Sequence, residues 1–292
     1  MPPLVPCCLL ITYVVWGTTY LAIRFTLESF PPLLMTASRF LCAGLLLTAW
    51  LAWRRTPMPT WRQLRNCVVP AVFLLVGGMG LTAVAEQTIS SGATTVMIGS
   101  MPIFGLFWSA CFGTRPRWYE GLAIAIGSVG ILVLTAGAEF RVSTTGVVAL
   151  LLAVASWSFG SQLARRLELP DGAAAFAAEM LIGGVSLMAL SAVWQEPWPA
   201  TVSAQAWWAW GYLVVMGSLV AFSAYMYLVG NVSQTLATSY VYVNPPVALA
   251  VGAWLGGERI APQTLGAIAL ILAALAVLSI GSLRAARAEA VA

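Results

Sequence analysis

Residues 239–254 read SYVYVNPPVALAVGAW. The stretch is apolar enough for the interior of a bilayer, yet Asn244, Pro245 and Pro246 stand together near its middle. Proline removes a backbone donor and clashes with the carbonyl four residues back. In a plain helix interior each proline costs about 3 kcal/mol. In hydrocarbon a bare carbonyl is worse, so the freed groups must face protein or water. This segment therefore reads as a spanning helix that bends beside a polar interior.

Working outward, the whole chain is apolar. It has 292 residues, 60% hydrophobic and only 8% charged, with a mean hydropathy of +0.89. A soluble domain of this size needs a charged surface, and this chain cannot cover itself. Its solvent is a lipid bilayer. A spanning helix takes about 20 apolar residues, and ten such runs recur, at roughly 4–23, 32–53, 67–86, 93–113, 118–136, 146–164, 173–194, 206–229, 235–256 and 263–282. The expected fold class is therefore all-α integral membrane, with ten transmembrane helices. The opening MPPLVPCC has no basic region and no small-residue cleavage site, so the first run reads as a spanning helix rather than a signal peptide.

All 14 basic residues are Arg, and Lys and His are absent. With residue 1 inside, the inner loops and C-terminus hold Arg54, Arg55, Arg62, Arg65, Arg115, Arg117, Arg165, Arg166, Arg284 and Arg287. The outer loops hold Arg24, Arg141 and Arg259, and Arg39 lies within a span. That bias predicts both termini on the cytoplasmic side of a bacterial-type plasma (inner) membrane. Trp194, Trp198, Trp207, Trp208 and Trp210 flank the outer loop between spans 7 and 8, as an aromatic belt would. The five cysteines, with no C-x-x-C and no His, offer neither a disulfide framework nor a metal site.

The double proline also leads to a repeat. SGATTVMIGSMPIFGLFWSACFGT, from Ser91, aligns with SQTLATSYVYVNPPVALAVGAWLGGE, from Ser233, when Pro102 is set on Pro245, an offset of 143. Met97 then falls on Tyr240 and Met101 on Asn244. An offset of 141 sets Trp16 on Trp157, and one of 145 sets Gly121 on Gly266. The chain is thus two five-helix copies, 4–136 and 146–282. Five spans per copy is odd, so the second enters from the opposite side. Inverted repeats of this kind are a common plan in secondary transporters.

These features, with ATSYVYVNPPVALAVGAWLGGERIAPQTLGAIALILAALAVL closing the second copy, resemble the drug/metabolite transporter superfamily, EamA type. The resemblance spans nearly the whole chain. Its best-matched element ends at Glu258 and Arg259, and the first copy departs from it with Thr114 in FGTRPRW. Within the superfamily the chain looks most like YddG-type bacterial exporters of aromatic amino acids and related metabolites. The resemblance implies a secondary transporter exporting small metabolites by alternating access, with amino acids of aromatic or apolar side chain as the first substrate class. A multidrug exporter of the same superfamily is the alternative. The four-helix multidrug members depend on a glutamate in their first helix; span 1 here has no carboxylate, so that mechanism does not carry over, and a facilitator or weakly coupled exporter is expected.

Depth places the site. Pro245 lies about ten residues from either end of its span, hence ~15 Å from each surface, and Pro102 sits as deep. Spans 4 and 9 would bend at Pro102, Pro245 and Pro246 around a midplane cavity. Met97 and Met101 share one helix face, as do Tyr240 and Asn244. Trp16 with Tyr20, and Trp157 with Ser161, would supply rings and hydroxyls from spans 1 and 6. Thr82 and Tyr225 would do so from spans 3 and 8. The plainer readings are kinks made for packing and tryptophans packed or facing lipid. Gly77, Gly78 and Gly80 read as close helix packing. Arg39 and Glu179, at nearly equivalent places in spans 2 and 7, are the deepest unambiguous charges and so functional candidates; the plainer reading is snorkelling toward opposite interfaces. Glu86 reads as a wet residue at a helix end.

No paired acids, Ser–His couple, P-loop or metal motif appears. An enzyme, a nucleotide-driven pump and a cofactor protein are not indicated. A receptor or scaffold would explain the spans but not the paired breaks. The expected partners are a small-molecule substrate and the lipid bilayer, with no nucleic acid, no nucleotide and no metal, and the chain reads as a candidate monomer.

Overall fold

The structure, a computed structural model, describes residues 4–113, 117–136, 143–231, 240–255 and 257, and parts of 265–284. Among the described residues every regular element is helical. Arg115, Arg141, Glu258, Arg259 and Arg287 lie outside them.

The elements run as follows: α1 (Val5–Leu27), α2 (Pro32–Trp53), then α3 (Trp61–Pro70), a π-helical stretch π1 (Ala71–Gly80) and α4 (Leu81–Glu86). Next come α5 (Ser91–Ile98), α6 (Met101–Cys111), α7 (Trp118–Ala136), α8 (Thr144–Ala164) and α9 (Ala173–Val193). Then follow α10 (Ala204–Tyr212), a second π-helical stretch π2 (Leu213–Val220), α11 (Ala221–Asn231) and α12 (Tyr240–Leu255). Six helical stretches are long and apolar enough to cross a membrane: Val5–Leu27, Pro32–Trp53, Trp61–Glu86, Thr144–Ala164, Ala173–Val193 and Ala204–Tyr225. The chain is a multi-pass membrane protein.

Helix starts are chemically marked. Thr60 and Gln63 form a capping box at α3. Ser90, Ser143 and Ser203 each accept a hydrogen bond from the backbone N–H three residues on, at α5, α8 and α10. Each satisfies a donor that the helix itself leaves orphaned. α2 starts on proline and has no cap of its own. Glu196, just beyond α9, supplies one: Leu33 N–H donates to Oε1 at 3.1 Å and Leu34 N–H to Oε2 at 2.8 Å. The end of α9 thus meets the start of α2, and these two helices run antiparallel.

α2 and α9 make the most extensive helix pair. Glycine permits it. A Cβ on Gly44 would stand 3.2 Å from the Leu181 backbone N, and one on Gly184 would stand 3.0 Å from that of Leu41. Small residues at such crossings let backbones approach and gain dispersion contact. α1 packs against α11 and α12, and α8 against π1, α4 and α6. Exchanging the two halves of the chain maps this pattern onto itself.

Several expectations change. Span 4 is two helices, interrupted at Gly99–Ser100, directly before Pro102. α12, by contrast, stays helical through Pro245 and Pro246. Trp210 is not a belt residue: it packs between two core clusters and its indole N–H donates to Ser38 Oγ at 3.1 Å. Trp194, Trp198, Trp207 and Trp208 are exposed, as a belt requires. Glu86 is buried rather than wet, at 5% exposure.

Candidate substrate cavity

A cavity of about 260 Å³ lies between the halves. Its walls come from α1, α2, π1 with α4, α5 and α6 on one side of the sequence, and from α8, α9, π2, α11 and α12 on the other. Among the described residues, none of α7 lines it.

Of the residues singled out in the sequence, Trp16, Tyr20, Thr82, Met101, Trp157 and Ser161 line this space, and so do Tyr225, Tyr240, Asn244 and Pro245. Met97 does not. It packs at 1% exposure among Ala93, Val96, Ala149, Leu150 and Ala153. Met97 and Met101 share a face only in an unbroken helix, and the turn at Gly99–Ser100 uncouples them. Pro246 is exposed on the other side of α12 from the cavity-lining Pro245. Pro102 begins α6.

One wall is aromatic. The Trp16 ring meets Tyr240 edge-on at 4.6 Å and Tyr225 at 5.4 Å, and the two tyrosines meet each other at 5.9 Å. Phe222 extends the wall to Phe176, with which it stacks. The indole N–H of Trp16 is satisfied by the Gly217 carbonyl at 3.2 Å. Its ring face, not its donor, is therefore what it offers. Trp157 lies on π1, where Gly78 leaves room: a Cβ there would stand 2.6 Å from the Trp157 ring. Asn244, 4% exposed, uses its amide nitrogen to hold α12 to α1, donating to the carbonyls of Tyr240 at 3.0 Å and Tyr13 at 3.2 Å.

Span 4 is held open at its break from the side. Ser158 on α8 donates to the Met101 carbonyl at 3.1 Å, and the Trp108 indole donates to the Ala155 carbonyl at 3.0 Å. Thr82 and Ser161 turn their hydroxyls back to carbonyls of their own helices, at Gly78 and Trp157.

The charges of the cavity were not expected there. Arg39 does not snorkel: it is 4% exposed, lines the cavity, and its Nε–H donates to Ser218 Oγ on π2 at 2.9 Å. Its guanidinium also lies over the Phe40 ring. Glu179 is 7% exposed and lines the same space. Their near-equivalent places in the two copies were the available signal. Snorkelling failed because α2 and α9 face each other, which leaves these side chains no route to the surface. Phe176, Phe222 and Ser218 were missed as well. In an apolar span their residue types carry no mark of facing a cavity rather than core or lipid.

No group of three or more potential metal ligands occurs among the described residues. A partly open cavity of this size, walled by both halves of a helical membrane protein, is the architecture of a small-solute carrier. The family model for the EamA-like transporter family matches residues 4–136 and again 144–280, and the chain belongs to that family. It is 42% identical over 270 residues to the "uncharacterized inner membrane transporter YedA" of Escherichia coli, covering 92% of this chain and 88% of that one. It is 27% identical over 294 residues to the "S-adenosylmethionine/S-adenosylhomocysteine transporter" of Chlamydia trachomatis, covering 91% and 88%. A solved crystal structure shares the fold, with a TM-score of 0.66 at 20% identity over 96% of this chain and 98% of the other.

Proposed function

We propose that this membrane transporter of the EamA family exports small metabolites, amino acids with aromatic or apolar side chains first among them, by alternating access around the cavity. The observation that carries the reading is the wall itself. Trp16, Tyr225 and Tyr240 make a face on which a ring can stack, inside a cavity of about 260 Å³ that suits one small molecule. Tyr20, Thr82, Met101, Trp157, Ser161 and Asn244 complete the contact surface.

The fold we assign is ten spans in two inverted five-helix copies. Contacts at the helix ends support it. Ser29 meets Ser203, and Thr88 meets Ser143, so the end of α1 shares a face of the molecule with the start of α10, and the end of α4 with the start of α8. The opposite face joins Asn66 to the Glu168 carbonyl. The arginine bias then sets both termini in the cytoplasm of a bacterial cell.

Counterflow in proteoliposomes tests the function. Preloaded phenylalanine should drive uptake of labelled phenylalanine, whereas lipophilic cationic dyes should not. Uptake of the dyes without phenylalanine would favour the multidrug alternative. The name of the Chlamydia relative adds S-adenosylmethionine as a third solute, and a pH gradient across the same vesicles reports coupling.

A further inference from the structure

We infer that Arg39 and Glu179 read the zwitterionic head of an α-amino acid, Arg39 taking the carboxylate and Glu179 the ammonium. The inference rests on the amino-acid reading above and assigns its specificity.

Glu179 is a buried carboxylate with no hydrogen-bond partner among the described residues, and it lines the cavity. An isolated buried charge is costly unless something pairs with it. Arg39 spends one N–H on Ser218. Its other donors have the planar fork that suits a carboxylate. The two charges do not sit together. Arg39 lies seven residues after the start of α2 and Glu179 six residues after the start of α9. Glu196 fixes those two helices antiparallel. The cation and the anion therefore line one cavity at different depths.

A ligand that satisfies both must carry a carboxylate and an ammonium together. The aromatic wall beside them takes the side chain. A lipophilic monocation would pair with Glu179 but leave the Arg39 guanidinium buried against a positive neighbour. A simple carboxylate would do the converse. Such an unpaired group is what makes polar discrimination steep.

The test compares three probes of one size: phenylalanine, phenethylamine and phenylpropanoate, each as a competitor of phenylalanine counterflow in proteoliposomes. The wild type should prefer phenylalanine over either single-charge analogue by roughly 10- to 100-fold. Arg39→Gln should erase the preference over phenethylamine while keeping that over phenylpropanoate. Glu179→Gln should do the reverse. A purely structural role for either residue would weaken all three probes together, and that result would overturn the assignment. Should a variant fail to fold, the wild-type series still decides, because equal competition by the three probes refutes zwitterion recognition while leaving amino-acid transport standing. Dye uptake with no competition by any probe would overturn both.

Discussion

Glu196 lies in the loop beyond α9 and completes a helix more than 160 positions earlier in the chain. Its carboxylate accepts from Leu33 and Leu34 N–H and from the Ser191 hydroxyl. Removing it strands two N–H groups at the start of α2, in a protein whose helix ends have little water to fall back on. We expect Glu196→Ala to cost about 1.5–3 kcal/mol and to lower the thermal unfolding midpoint in detergent. Glu196→Gln keeps an acceptor and should cost less; equal midpoints for both variants and wild type would refute the cap. Gly217 marks a different constraint. A Cβ there would stand 3.2 Å from Arg39 Nη2 and 3.1 Å from Thr19 Cγ2. Gly217→Ala should displace the guanidinium, and transport should fall several-fold in vesicles with little change in the unfolding midpoint. At this scale the sequence was half legible. Asn244 and Tyr240, singled out beside midplane prolines, and Trp16, singled out by its match to Trp157, all line the cavity. Arg39 and Glu179 stood out by depth and by their near-equivalent places, but nothing in one chain tells an interface-seeking charge from one trapped between two helices.

The helix pair α2–α9 depends on two glycines at corresponding places, and each faces both the side chain and the backbone N of a leucine on the partner helix, Leu181 at Gly44 and Leu41 at Gly184. Overpacking such a contact costs typically about 1–3 kcal/mol per site. Gly44→Val and Gly184→Val should each lower folded yield and unfolding midpoint, whereas valine at Gly121, whose Cβ direction is open, should not. A Gly184→Val protein as stable as wild type would show that the close approach is dispensable. Elements are read from apolar length; the capping residues Thr60, Ser90, Ser143 and Ser203, each standing where a helix begins, are a further signal that the sequence carries. A bend at Pro102 was expected in span 4; the helix is instead interrupted at Gly99–Ser100. The two π-helical stretches were not expected. Pro70 gives the first a local cause, since it withdraws a donor from the α pattern just before Ala71. The second follows no proline. A register of i to i+5 leaves no periodic trace in a segment that is apolar on every side.

The whole molecule is held at both ends by contacts between its halves: at one end Asn66 donates to the Glu168 carbonyl and Arg62 pairs with the Glu168 carboxylate, and the other end is joined through hydroxyls. Ser29 Oγ lies 3.5 Å from Ser203 Oγ, and Ser143 donates to Thr88 at 2.7 Å; each pair takes one residue from each copy. If the copies rock about the cavity, this end must part once in every cycle. The native cysteines are all unpaired, so they can be replaced and a Ser29→Cys, Ser203→Cys pair introduced without competing bridges. Hydroxyls this close place the new sulfurs near bonding geometry. The oxidised protein should stop transporting, and dithiothreitol should restore the rate, while binding of substrate from the opposite face persists. Continued full-rate transport with the bond demonstrably formed would mean that this end never opens. The carrier would then work through local motion of the broken span 4 and the π-helical stretches, with α2 and α9 as a fixed spine, since those are the segments whose backbone hydrogen bonding already departs from a plain α-helix.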